Sequence, residues 1–167
     1  MAHESRLTLE LRALLQTQRV AALGTLCEDG APLVSMVPFA IEPGTPCLVI
    51  HVSGLAAHTR NLQASPAVSL LVMRAEVAGE PVHALPRVTL QGRAELLARD
   101  SSAWQACRAA YLARFAEAEP MTQLGDFMFM ALHVGAARQV AGFGAARSLD
   151  AQELAQVLRG AAGAGLN

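Results

Sequence analysis

RVAALGTLCEDGAPLVSMVPFAIEPGTPCLVIHVSGLAAHTRNLQASPAVSLLV, residues 19–72, is the stretch whose reading decides the fold. VAALGTLC (20–27) is short, apolar and rich in small residues, which predicts a strand. Asp29-Gly30 follows as a hairpin signal, because glycine accepts a positive φ without a Cβ clash. PLVSMVPFAI (32–41) is the partner strand. Pro38 inside it has no N–H to give to a ladder, so an edge, a bulge or an opening is expected there. EPGTP (42–46) makes a turn, and CLVIHVS (47–53) a third strand. Val49, His51 and Ser53 fall on one of its faces, with Leu48, Ile50 and Val52 on the other. GLAAHTRNLQAS (54–65) reads as a short helix that Ser65-Pro66 ends. AVSLLVMRA (67–75) is a fourth strand.

Upstream, Leu7, Leu11, Leu14 and Leu15 recur at helical spacing, so residues 5–18 predict a helix with Ser5 as N-cap. Downstream, residues 76–86 read as a loop and RVTLQGRAELL (87–97) as a fifth strand, with Gly92 at a bulge or bend. A helix over 101–117, capped by Ser101 or Ser102, comes next. DFMFMALHV (126–134) is a strand buried on both faces, and ARQVAGFG (137–144) a last strand or extended arm. Asp150 and Glu153 form a capping box for a helix that Gly160 is expected to stop. About six strands joined by turns, with few helices between them, predict a small antiparallel barrel with appended helices rather than a doubly wound parallel sheet. One domain over 1–160 and a disordered tail over 161–167 are expected.

The 167 residues are 53% apolar and only 16% charged, which excludes a disordered chain. A net charge of -1 offers no basic field to nucleic acid or an anionic membrane. No apolar stretch is long enough to span a membrane, and the first residues do not resemble a signal peptide. The three cysteines, Cys27, Cys47 and Cys107, show no metal spacing and cannot all pair. A soluble protein of the reducing cytoplasm is expected. There is no lysine, which excludes a Schiff-base lysine. GxGxxG, P-loop and GxSxG motifs are absent, and the histidines show no HExxH-type pairing, so no metal site is expected.

The densest polar cluster is HVSGLAAHTRN (51–61). A strand running into a helix leaves free N–H groups that favour an anion such as phosphate, and Ser53, His58, Arg60 and Asn61 stand beside them. A capped helix with a solvated polar face is the more common alternative for such a segment. Arg87, Thr89 and Gln91 share one face of a strand, either a solvent face or the wall of a polar ligand channel. Ser35, Met36, Val37 and Pro38 form a strand interrupted by proline, whose freed backbone groups suit a planar heterocycle or water.

These segments, in this order, resemble the FMN-binding split-barrel family related to pyridoxamine 5′-phosphate oxidase. The likeness covers about residues 6–98 well and the rest loosely. SGLAAHTRNL (53–62) and DFMFMALHVGAARQVAGFGAA (126–146) are more similar to the heme-utilisation (HugZ-type) branch, since the oxidase carries a lysine where His58 stands. The resemblance implies a six-stranded antiparallel Greek-key split β-barrel and a homodimer with an FMN site at its interface. By position, Ser35, Met36, Val37 and Pro38 would run beside the flavin. His51, Ser53, His58, Arg60 and Asn61 would sit near its phosphate, and Arg87, with Gln91, near the ring. With His58 in place of lysine, the hold on phosphate becomes pH-dependent. The oxidase's C-terminal tryptophan and arginine motif is missing, so pyridoxamine phosphate oxidation is not expected. The expected function is an FMN-dependent oxidoreductase acting on a small molecule. Heme binding or degradation in the same cleft is the alternative, and a non-catalytic FMN or ligand-binding module a third.

Overall fold

The computed structural model describes residues 4–162. Helix α1 (Arg6–Thr17) starts where the Ser5 hydroxyl accepts from the Thr8 N–H at 3.2 Å, and it buries Leu11, Leu14 and Leu15. Strands β1 (Val20–Leu26) and β2 (Pro32–Pro38) form the hairpin. Its turn holds Gly30 at φ +82° and ties the Ala31 N–H to the Asp29 carboxylate at 3.0 Å. Then come β3 (Ala40–Glu42), β4 (Cys47–Ser53), α2 (Ala57–Ala64), β5 (Ala67–Met73) and β6 (Arg87–Leu96). The chain continues through α3 (Ser102–Arg114), β7 (Phe127–Val140), β8 (Ala146–Asp150) and α4 (Ala151–Ala162).

All pairings are antiparallel, in the order β2-β1-β5-β6-β7-β4-β3, with β8 added on β7. β2 and β3 stand on opposite edges of the sheet yet only Phe39 separates them. The sheet therefore curls until its edges meet at Phe39, which is fully buried. Pro32 and Pro38 lie on the edge strand β2, where a missing N–H costs no ladder bond. Arg114 locks the seam. Its guanidinium donates to the carbonyls of Leu15, Gln16 and Gln18 at the end of α1 and lies 4.9 Å from the Phe39 ring centroid.

Two cores result. Leu23, Leu48, Ile50, Leu70, Leu90 and Leu132 fill the barrel, and α1 and α4 plug it. The second core lies outside, where Val49, Phe129 and Ala131 of the sheet meet Cys107, Tyr111 and Phe115.

Four expectations change. Eight strands replace about six, because 32–41 breaks at Phe39 and the unpredicted β8 pairs with β7. The 126–134 and 137–144 segments join into one 14-residue strand that ends at Val140. Gly142 and Gly144 then take positive φ, so GFG is a turn and not an arm. Two consecutive helical segments replace the single 101–117 helix: α3 stops at Arg114, and a 3-10 stretch over Ala116–Gln123 follows. α4 opens on the expected capping box, with Glu153 N–H to Asp150 at 2.9 Å and Asp150 N–H to Glu153 at 3.0 Å. It passes Gly160 and runs to Ala162, while 163–167 lie outside the described residues.

Candidate functional site

The segments singled out in the sequence come together at two places, one on each side of the sheet near β2. Alternation along β2 turns Ser35 and Val37 inward, and Val34, Met36 and Pro38 outward.

On the inner side, α2 packs over β1 and β2. Its His58 Nδ1 lies 3.0 Å from the Ser35 hydroxyl, with the donor set by the ring tautomer. Asn61 on the next turn donates to the Thr25 hydroxyl at 3.0 Å and approaches the Cys27 sulfur at 3.6 Å. Thr25 is buried and pairs with Leu33 across the hairpin; its only sequence signal is that it shares the inward parity of Ala21 and Leu23. Thr25 and Cys27 are the residues that sequence reasoning missed. Ala56 gives α2 no side-chain cap. Ser53 instead accepts the Leu55 N–H on its hydroxyl at 3.2 Å, and its carbonyl accepts the buried Thr59 hydroxyl at 2.7 Å. Arg60 is exposed and donates back to the Leu55 carbonyl at 2.8 Å. Burial lowers the pKa of His58 from its ordinary value, so near neutrality the imidazole is uncharged. The inner cluster is therefore a set of neutral donors and acceptors, with Arg60 at its rim as the cation.

His51 does not join it. On β4 it points to the opposite side, with ring centroids 4.4 Å from Phe129, 5.1 Å from Phe127 and 5.8 Å from Tyr111. By alternation it shares that side with Val49. However, α3 covers that face and makes it a core, so the position beside phosphate expected for His51 is not what the fold provides. Burial lowers its pKa from 6.5 to about 4. Between those values the unfolded chain binds the proton and the folded chain does not. The contribution is fully present above the upper value and is lost as pH falls through the window. A His51→Leu variant is expected to lose less Tm than the parent between about pH 7 and about pH 4.5. Equal acid slopes for the two proteins in thermal melts would refute this reading.

On the outer side, the register lines up Met36, Ala22, Leu71, Thr89 and Arg138 across five strands, with the Pro38–Val20 pair and the Met73–Arg87–Val140 row beside them. Val34 is 70% and Met36 64% exposed, and Val20 and Met73 are exposed as well. Arg87 stands at one end of this face. Its guanidinium is steadied by the carbonyls of Leu85 at 3.0 Å and His83 at 3.4 Å, contacts that leave its positive charge unneutralised. Gln91 is exposed four pairs further along the strand. The 74–86 connection beside Arg87 is closed by the Arg74 N–H to the Pro86 carbonyl at 2.9 Å and by an Arg74–Glu80 ion pair. An open apolar sheet face with arginines at its edge suits a flat apolar molecule that carries carboxylates.

The sequence matches the family described as Pyridoxamine 5'-phosphate oxidase over residues 7–141. It is 31% identical to the heme oxygenase HutZ of Vibrio cholerae serotype O1 over 153 residues, covering 90% of this chain and 85% of that protein. It is 38% identical over 137 residues to the chloroplastic non-canonical heme oxygenase HOZ of Arabidopsis thaliana, covering 80% of this chain but 40% of that one. A solved heme binding protein from Mycobacterium smegmatis superposes with a TM-score of 0.82 at 30% identity, over 93% of this chain and 62% of that chain. The chain thus spans less than two thirds of the length of two of these three relatives. No helix among the described residues is long and apolar enough to cross a membrane.

Proposed function

The chain belongs to the pyridoxamine 5'-phosphate oxidase family, with that family's split barrel, and on this premise we propose that it binds heme on the outer face of β2-β1-β5-β6. The observation that carries this reading is the open face itself. Val20, Met36, Leu71 and Met73 offer an apolar surface to the macrocycle, and Arg87 and Arg138 offer charge-assisted donors to its carboxylates. The names of the two heme oxygenases and of the heme binding protein support it. Heme held there would supply a redox-active iron, and heme degradation is the activity we assign. The chain's own part is to hold the ring flat and keep water from one side of it. A second copy of the chain covering the same apolar face would complete that exclusion, so the working form is a homodimer acting on a small molecule. The compartment we infer is the cytoplasm, where the three thiols stay reduced.

A second reading keeps FMN as the cofactor of an oxidoreductase. The inner cluster favours it: Ser35, His58, Asn61 and Thr25 are the polar groups that a ribityl phosphate needs, with Arg60 nearby. Against it, His58 is held neutral by burial, and a phosphate dianion prefers a seated cation.

Titrating the purified chain with hemin and, separately, with FMN distinguishes the two. A Soret shift retained through desalting, with no flavin retained, is the expected result. Arg87→Ala is expected to weaken hemin at least tenfold, about 1.4 kcal/mol, the worth of one charge-assisted contact. Retention of FMN alone would replace the heme reading with the second one. Retention of neither would overturn both.

A further inference from the structure

Arg87 and Arg138 stand side by side on the outer face. Arg87 pairs with Val140 and Arg138 with Thr89, so the two are diagonal neighbours on adjacent strands, with Cα atoms about 7–8 Å apart. Both guanidiniums keep their charge. Arg87 is steadied by the carbonyls of Leu85 and His83, and Arg138 by the Ser148 hydroxyl at 3.3 Å. Among the described residues neither forms an ion pair. They make a rim of two cations along one side of the apolar strip that runs through Leu71, Ala22 and Met36. Two carboxylates on one edge of a flat apolar plate match that rim, each with a charge-assisted donor.

The imidazoles of the described residues are engaged away from that strip. His58 meets Ser35 on the inner side, and His51 is buried among Phe127, Phe129 and Tyr111. His133 is bonded to Glu95 at 2.7 Å and pairs with Arg93, six residues and about 20 Å along β6 from Arg87. His83 lies in the short turn whose carbonyls hold Arg87, so it stands at the rim, where the carboxylates of a porphyrin end, whereas its metal lies at the centre. The strip itself presents aliphatic groups and the thioethers of Met36 and Met73, which are flexible, adaptable side chains and weak tethers. Resting on the heme reading above, we propose that this face takes flat dicarboxylic tetrapyrroles as a class, iron-free porphyrin included, and grips them by carboxylate rim and apolar plane with no bond from the described residues to the metal. Arg87 and Arg138 take one carboxylate each, and the plate lies over Leu71 and its neighbours. Plane and carboxylates are properties that a porphyrin keeps when the iron is gone, so the metal adds little to the hold.

The test titrates the purified full chain in parallel with hemin, protoporphyrin IX and protoporphyrin IX dimethyl ester, each followed by its Soret band. Protoporphyrin IX is expected to bind within about threefold of hemin, and the ester about tenfold more weakly or worse, because esterification removes both anionic groups. Arg138→Ala is expected to weaken hemin and protoporphyrin IX by the same factor, about tenfold. Its side chain is exposed, so the variant should fold as the parent does. Hemin held about tenfold tighter than protoporphyrin IX, or more, would mean that the protein bonds the iron; that overturns the proposal and leaves the heme reading standing. An ester that binds as tightly as the free acid, or an Arg138→Ala variant that loses neither ligand, would overturn it as well. Binding of none of the three porphyrins by the parent would bring down the heme reading and the proposal with it.

Discussion

Gly92→Ala is expected to cost the fold about 3 kcal/mol or more, read as a fall in Tm of about 6–12 °C. Gln91 pairs with Ala136 and Gly92 with Val134, so Gly135 is the extra residue of a bulge in β7. At that point β7 presses its backbone onto β6. A Cβ on residue 92 would stand 2.0 Å from the His133 carbonyl oxygen and 2.8 Å from Val134 Cα. Those are backbone atoms of a strand paired on both sides, and they cannot rotate away as a side-chain tip can. Relief requires β6 and β7 to part, and that pairing joins the two halves of the sheet. Gly135 has nothing within 4 Å of its Cβ position, so Gly135→Ala is the matched control and should cost far less. Equal melting temperatures for Gly92→Ala and the parent would mean the strands do not approach as described.

Met36→Asp combined with Val34→Asp is expected to give a folded chain that is monomeric and retains no hemin. Both side chains point outward from the edge strand into an open face, so little in the monomer depends on them. If a second copy covers that face, each carboxylate is buried without a partner, a loss of about 2 kcal/mol or more per position at the centre of an interface. Sedimentation should therefore show a dimer for the parent and a monomer for the variant, with superimposable far-UV spectra. A monomeric parent would defeat the homodimer. A variant that still dimerises and still holds hemin would move both the interface and the ligand off this face. Loss of dimerisation with hemin retained would show that one copy is sufficient for the site.

Much of the fold was legible because the signals were local. The Asp29-Gly30 turn, the Ser5 cap, the Asp150–Glu153 box and the alternation of Leu48, Ile50 and Val52 against Val49 depend on residues within a few positions of one another. Gly92 marks a bulge or bend in the sequence, but the extra residue, Gly135, lies on the partner strand and only the register shows it. The break at Phe39 was half legible: Pro38 marked the place, but not that the chain there passes from one edge of the sheet to the other. β8 was missed because ARSLD has only Leu149 to bury, and its place is fixed by β7 rather than by its own pattern.

The site was less legible than the fold. Ser35 and His58 were both singled out, yet their 3.0 Å contact spans 23 positions and depends on how α2 lies over β2. His51 carried the right parity and the wrong environment, since parity says which face a side chain takes and not what covers that face. The sequence by itself determined the hairpin, the alternation, the caps, the absence of a lysine chemistry and the family. The tertiary structure alone decided that His51 sits among aromatic rings, that Asn61 meets Thr25, and that the row from Met36 to Arg138 is open. The physical reason is range. Turn, cap and period are set by backbone sterics within a few residues, whereas burial, a shifted pKa and a ligand face exist only once strands distant in the chain have been brought into register.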